Sequence, residues 1–449
     1  MSQTSSRRKK TSGWDSRSGL DVTTVFTGFL VFLLGIPATM VVESLGTMGA
    51  PATLLSLLAL VWYLWHHLHR SEPLRGGMSP VREAAVLFLL VMLVVYGHAM
   101  TTFIPVAEST NADSSMLRSL GMMGIVLVIN DGLTTVGRWH TLMRRMAIAG
   151  ALVSSVAIMQ FFTHQMWIDR LSIPGLTPPV VAEVGARGMF TRPSATATNA
   201  IELGALLAMF LPMAFTNAQT AVRHRVWAWV PVGLMGFAAL VSLSRTAIIC
   251  VAIGMALLVP AWSHKAKLQL ALLGPFVLMG VGAAVPGLLG TLRGLFTGAG
   301  NDSSIDSRTE SYGVAFSYVF RHPILGRGYG TFLPNYWILD NAWLQLLIGT
   351  GIVGTLAFFF LVFQALRSAR MAERIFAAQA TAEGHKHALL ARSVMAGSAA
   401  GAVSLFFFDG LSFPQSAGAV MMMFGLAGAS LRLARDNTTT TEPAPPVTD

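Results

Sequence analysis

Arginines and carboxylates set between apolar runs are the residues of this sequence best suited to chemistry. Arg245 lies in Val241-Ser242-Leu243-Ser244-Arg245-Thr246-Ala247, a connection so short that the flanking runs hold it at or just below a membrane surface. Arg192 lies in a small, polar stretch from Arg187 to Glu202, and Glu202 falls about one turn inside the next apolar run. The long polar interruption of the second half, from about Thr291 to Gly354, carries Arg293, Arg308, Arg321 and Arg327. It ends on Asp340-Asn341, at the mouth of another apolar run. Arginine presents a planar fork suited to bidentate phosphate contacts, which lysine does not. A carboxylate held at the mouth of a membrane helix can accept a proton. The pattern points to an anionic, lipid-linked substrate, with Arg245, Arg192 and the loop arginines as candidate anion contacts and Asp340 as a candidate base. Glu202 is the alternative base.

Each of these residues also has a plainer role. Arg245 can snorkel from a helix end. Glu202 can serve as a structural partner of Arg192 or Arg245. Asp340 can be the N-cap of the helix it precedes, because aspartate accepts from the first free N–H groups. Asp409, in Phe407-Phe408-Asp409-Gly410-Leu411-Ser412-Phe413-Pro414, reads as a turn residue, and His322 and Tyr329 as weak candidates for the same cavity. Asp302, Asp306 and Glu310 could bind a cation, although their spacing is not that of an EF-hand loop. His/Cys metal spacing, a P-loop and a serine-nucleophile elbow are all missing from the sequence.

The elements that must position these residues are membrane helices. Hydrophobic residues make up 53% of the chain and charged residues only 12%, with a mean hydropathy of +0.60. Soluble domains carry about 25% charged residues, so a single soluble core is excluded. Apolar runs fall near Val25–Val42, Ala52–Trp65, Ala84–Met100, Leu117–Leu133, Met146–Phe162 and Ala200–Phe215. Others fall near Val226–Leu243, Ala247–Trp262, Leu268–Leu289, Ala342–Leu366, His387–Phe408 and Ala417–Leu433. Each approaches the roughly 20 residues that cross a bilayer as helix, and helices satisfy their own backbone in lipid. The expected fold is an all-α polytopic membrane protein of about twelve spans. The membrane domain covers 21–435, an extracytoplasmic loop at 291–340 roofs the site, and disordered cytoplasmic tails occupy 1–20 and 436–449.

Placing both termini in the cytoplasm puts 22 of the 31 basic residues on the inner side, all five lysines among them. The outer side then holds Arg118, Arg170, Arg187, Arg192, Arg245, Arg293, Arg308, Arg321 and Arg327. This obeys the positive-inside rule and explains the net charge of +10 without nucleic acid. The single cysteine, Cys250, excludes an intrachain disulfide.

From Arg192 to the last span the sequence resembles the O-antigen ligase and polymerase superfamily of bacterial membrane glycosyltransferases. The resemblance rests on Ser244-Arg245, on Ser307-Arg308 and on Pro323-Ile324-Leu325-Gly326-Arg327-Gly328-Tyr329-Gly330-Thr331-Phe332. It rests also on Asp340-Asn341-Ala342-Trp343-Leu344 followed by Gly351-Ile352-Val353-Gly354, and the stretches 192–202 and 409–415 look closer to an actinobacterial branch. It implies a multi-spanning glycosyltransferase fold, located in the bacterial cytoplasmic membrane with its site on the extracytoplasmic face. Such an enzyme passes a glycan from a polyprenyl diphosphate to a hydroxyl of a lipid or glycan, without nucleotide sugar, metal or other cofactor. Arg245 and Arg308 would bind the diphosphate, Asp340 would stand at the base position, and Asn341 would line the substrate site. Ligases of the superfamily carry histidine before that asparagine, so here the base must be a carboxylate. Asn199 likewise stands where related sequences carry His-Pro.

Overall fold

The computed structural model describes residues 21–69, 78–178, 186–187, 189–297 and 303–439. The expected tail at 1–20 and Asp302 lie outside the described residues, as do residues 440–449 of the second tail and the side chains of Arg187 and Asp306. The chain forms α1 (Val22–Gly35), α2 (Pro51–Leu68), α3 (Pro80–Met100), α4 (Val106–Gly132) and α5 (Val136–Thr163). After a two-residue hairpin, β1 (Ala186–Arg187) and β2 (Phe190–Thr191), come α6 (Ala200–Thr220), α7 (Val230–Val241), α8 (Arg245–Leu258) and α9 (His264–Ala284). Then follow α10 (Leu288–Thr297), α11 (Ser303–Val319), α12 (Ala342–Ala378), α13 (Ala382–Ser404) and α14 (Pro414–Thr439).

This is an all-α polytopic membrane protein. Eight helices, α2 to α6, α9, α12 and α14, are long and apolar enough to cross a membrane, and α1, α7 and α8 are shorter apolar helices. Their starts are written in the sequence. Asp21 caps α1, Thr135 caps α5, Asn199 caps α6 and Asn341 caps α12, each accepting from backbone N–H groups of the first turn. Proline opens α2 and α3, where no N–H is needed.

α6 and α14 form the interior, most of their residues being buried. Small residues let their backbones approach neighbours, which is how helices pack in lipid without a hydrophobic drive between them. Gly397 of α13 lies against the Met209 backbone of α6, and Gly425 of α14 against Ile129 of α4. α9 sits at the periphery with none of its residues buried.

Two expected boundaries move. α4 begins at Val106, well before Leu117, because its polar first turns are paired: Glu108 bonds Arg327 and Tyr336, and Asn111 bonds the Gly330 carbonyl. Arg118 therefore sits within a helix. α14 continues to Thr439, into the segment expected as tail.

Candidate functional site

The site is organised by a broken helix. Inside α12, Gly351 has φ 62° and ψ −164°, which ends one half-helix and starts another. The segment 323–328 fills the break. Arg327 N–H donates to the Ile348 carbonyl (3.1 Å) and Gly328 N–H to that of Gly349 (2.9 Å). In the other direction, Ile352 N–H donates to Pro323 O (2.9 Å) and Val353 N–H to Ile324 O (3.2 Å). Helix ends leave unpaired donors and acceptors that hydrocarbon cannot satisfy, and here a glycine-rich loop satisfies them. A methyl on Gly351 would overlap the Ile324 carbonyl, and one on Gly326 (φ 68°) the backbone of Gly349. The motif Pro323–Gly330 and the glycines of Gly349–Gly354 are thus two halves of one backbone junction.

Beside the junction lies a cavity of about 300 Å³, at the end of the bundle where α4, α12 and α14 begin. Its walls come from α4 (Asn111, Ser115, Arg118), from the loop before α12 (Tyr329, Phe332, Trp337, Asp340), from α12 itself (Gln345) and from the α13–α14 turn (Asp409, Ser412, Phe413). Asp340 is not the cap of α12. Asn341 is, its Oδ1 accepting from Trp343 N–H (3.0 Å) and Leu344 N–H (3.1 Å), and this leaves the Asp340 carboxylate on the cavity wall.

Asp409 holds its turn through its carbonyl, which accepts from Ser412 N–H at 3.0 Å, while its side chain faces the cavity. Burial, reinforced by the charge of Asp340, pushes its carboxyl up to about 6; Ser412, Arg118 and Gln345 oppose that rise. Burial also raises the Tyr329 hydroxyl above its ordinary range.

The sequence-derived residues fall into separate places. Arg192 reaches the α7–α8 hairpin, its Nε donating to the Ser242 carbonyl at 3.3 Å, and Arg245 opens α8. Arg308 is on α11, half-buried, and its Nε has no hydrogen-bond partner among the described residues. α11 braces the cavity: Ser311 Oγ accepts from Trp337 Nε1 at 2.9 Å. Arg327 is paired with Glu108 at 2.6 Å and lies over the rings of Tyr318 and Tyr336. Glu202 is fully buried, and its carboxylate takes N–H groups from Thr198 (2.8 Å), Gln415 (2.9 Å) and Ser416 (3.0 Å). It thereby caps α14 from α6. Of the residues expected at the site, Asp340 lines the cavity; Asn341 and Glu202 hold the helix starts that frame it.

Sequence reasoning passed over three residues. Arg118 was visible only as an outer basic residue, Asp409 only as a turn former, and Glu108 carried no local signal. An arginine inside an apolar run is a functional-site flag by itself, and Arg118 could have been found that way.

Residues 230–359 match the family model for O-antigen ligase. The match covers less than half of the chain and supports its place in the O-antigen ligase and polymerase superfamily. It takes in Arg245, Arg308, Arg327, Asp340, Asn341 and both halves of the glycine junction; Arg118, Glu202 and Asp409 lie outside it. It supports a membrane-embedded, glycosyltransferase-like ligase or polymerase of envelope polysaccharide assembly. No curated protein matches the chain.

Proposed function

We propose that this chain transfers a glycan from a polyprenyl-diphosphate carrier to a hydroxyl of a lipid or glycan acceptor. In this reading twelve helices span the bacterial cytoplasmic membrane, both termini are cytoplasmic, and the site opens on the extracytoplasmic face beneath the 291–340 segment. The observation that carries it is the cavity holding Asp340 against the glycine junction, inside the stretch that matches the ligase family. The acceptor hydroxyl attacks the anomeric carbon in one displacement, inverting it, and its proton passes to Asp340. The diphosphate leaves with the electron pair. Arg245 and Arg308 meet that charge, with Arg192 and Arg327 behind them, in surroundings where fixed cations act far more strongly than in water. Proton transfer to a positioned carboxylate contributes about 10²–10⁴-fold. Asp340 suits that step better than Glu202, whose two oxygens already hold three backbone N–H groups.

A broken helix also recurs in transporters, where it binds ions or substrate near the midplane. Here the break is occupied by the chain's own backbone, which favours chemistry over passage. The test is glycan transfer by the full-length protein in liposomes with cell-extracted polyprenyl-diphosphate glycans. Wild type is expected to transfer, and Arg245→Ala, Arg308→Ala and Asp340→Ala each to lose transfer by 10²-fold or more. Movement of lipid-linked glycan between leaflets without transfer would establish the transporter instead.

A further inference from the structure

The cavity itself is not built for phosphate. Its charged side chains are Asp340, Asp409 and Arg118, two carboxylates to one guanidinium, and the remaining walls include Tyr329, Phe332, Trp337 and Phe413. A diphosphate would meet net repulsion there. Two of the residues on the cavity walls each hold a buried polar atom without a hydrogen-bond partner among the described residues: the donor Arg118 Nε and the acceptor Asp409 Oδ1. They belong to one local set. Arg118 Nη1 donates to the Ser412 carbonyl at 3.4 Å, and Ser412 N–H donates to the Asp409 carbonyl. Buried polar groups are nearly always paired, so an orphaned donor and acceptor beside one cavity call for a ligand that supplies both roles. A sugar does so: each hydroxyl is donor and acceptor at once, the molecule is neutral, and its C–H faces suit aromatic walls. The volume sits at the small end of the roughly 300–1,000 Å³ range of small-molecule sites, room for a terminal unit rather than a polymer.

We propose that this cavity is the acceptor-sugar subsite, in which Arg118 and Asp409 hold acceptor hydroxyls beside Asp340. The assignment rests on the transfer reading above and adds to it the place of the acceptor, leaving the diphosphate to the arginines elsewhere. Asp409 accepts from a hydroxyl more strongly when ionised. The groups that face it are Arg118 from α4, Asp340 and Gln345 from the start of α12, Tyr329 from the junction loop and Ser412 from its own turn. With its carboxyl up near 6, acceptor affinity rises with pH through that value.

The experiment uses the full chain in liposomes with cell-extracted lipid-linked glycans. Oligosaccharides released from that fraction by mild acid are titrated in as acceptor or competitor. In Asp409→Asn and Arg118→Lys, folded by gel filtration, the half-saturating oligosaccharide concentration rises about 10- to 100-fold, the scale of a hydrogen bond to a charged group. Half-saturation by the lipid-linked donor stays within about twofold of wild type on the same reasoning, since the donor's charge lies elsewhere. Asp409→Asn also loses the pH limb near 6. The oligosaccharides quench tryptophan fluorescence of the unmodified protein, and Trp337→Phe removes that quench. Unchanged acceptor saturation in variants that still transfer overturns the subsite and leaves the transfer reading standing. A shift in donor saturation alone, or no quench, overturns the subsite too. Absence of transfer by wild type overturns both.

Discussion

Replacing Gly351 with alanine should damage the fold at the point where α12 departs from helical backbone. The residue sits at φ 62°, ψ −164°, a conformation reserved in practice for glycine, and forcing another residue into it costs about 1–3 kcal/mol. The added methyl also overlaps the Ile324 carbonyl, which must retreat. That carbonyl accepts from Val353 N–H, and Pro323 O next to it from Ile352 N–H. Losing both bonds adds about 1 kcal/mol each, and more where the freed groups stay buried. The sum, about 3–5 kcal/mol, is a large share of the roughly 5–15 kcal/mol by which domains are stable. The assay is the apparent unfolding midpoint of detergent-purified protein by scanning fluorimetry, with transfer activity alongside. Gly290→Ala is the control, because a Cβ there meets open space. A Gly351→Ala protein that unfolds at the wild-type temperature would refute the view that the glycine junction holds α12 together.

Two further substitutions separate framework from chemistry. Glu202→Gln exchanges one acceptor oxygen for an amide donor against the N–H groups of Thr198, Gln415 and Ser416, so the unfolding midpoint falls by the equivalent of about 1.5–3 kcal/mol. Transfer per folded molecule is expected to stay near wild type; its collapse in folded Glu202→Gln would restore Glu202 as the base. Arg327→Ala leaves Glu108 buried and charged and is expected to destabilise by about 3–5 kcal/mol. Because the two residues are one unit, the double variant Arg327→Ala/Glu108→Ala should cost less than the sum of the singles, measured as a double-mutant cycle of unfolding midpoints.

Composition and hydropathy made the membrane class legible, and the apolar runs read as starting near Ala200 and Ala342 coincide with the starts of α6 and α12. The start of α4 was not legible. Its first turns are too polar to read as a span, and they are buried only because Arg327 and Tyr336, more than 200 residues away, reach Glu108. The candidate site was legible in part. Asp340 stood out by its place at a helix mouth, but the capping role open to it in the sequence is taken by its neighbour Asn341. Asp409 looked like a turn residue and is one; that its side chain also shares a cavity with Asp340 depends on how α13 and α14 dock against α4 and α12.

The sequence by itself determined what local physics can determine: an apolar, arginine-rich helical membrane chain, with its family motifs in order and its charges gathered in the connections. Periodicity, capping and hydropathy are properties of neighbours along the chain. Tertiary structure decided which charges are free to act. Glu202 was drawn into capping α14 and Arg327 into an ion pair, while Arg118 and Asp409 were brought to the walls of one cavity, each with a buried polar atom left unpaired among the described residues. Whether a buried polar group finds a partner is settled by chain segments far apart in sequence, and that is the information a linear reading lacks.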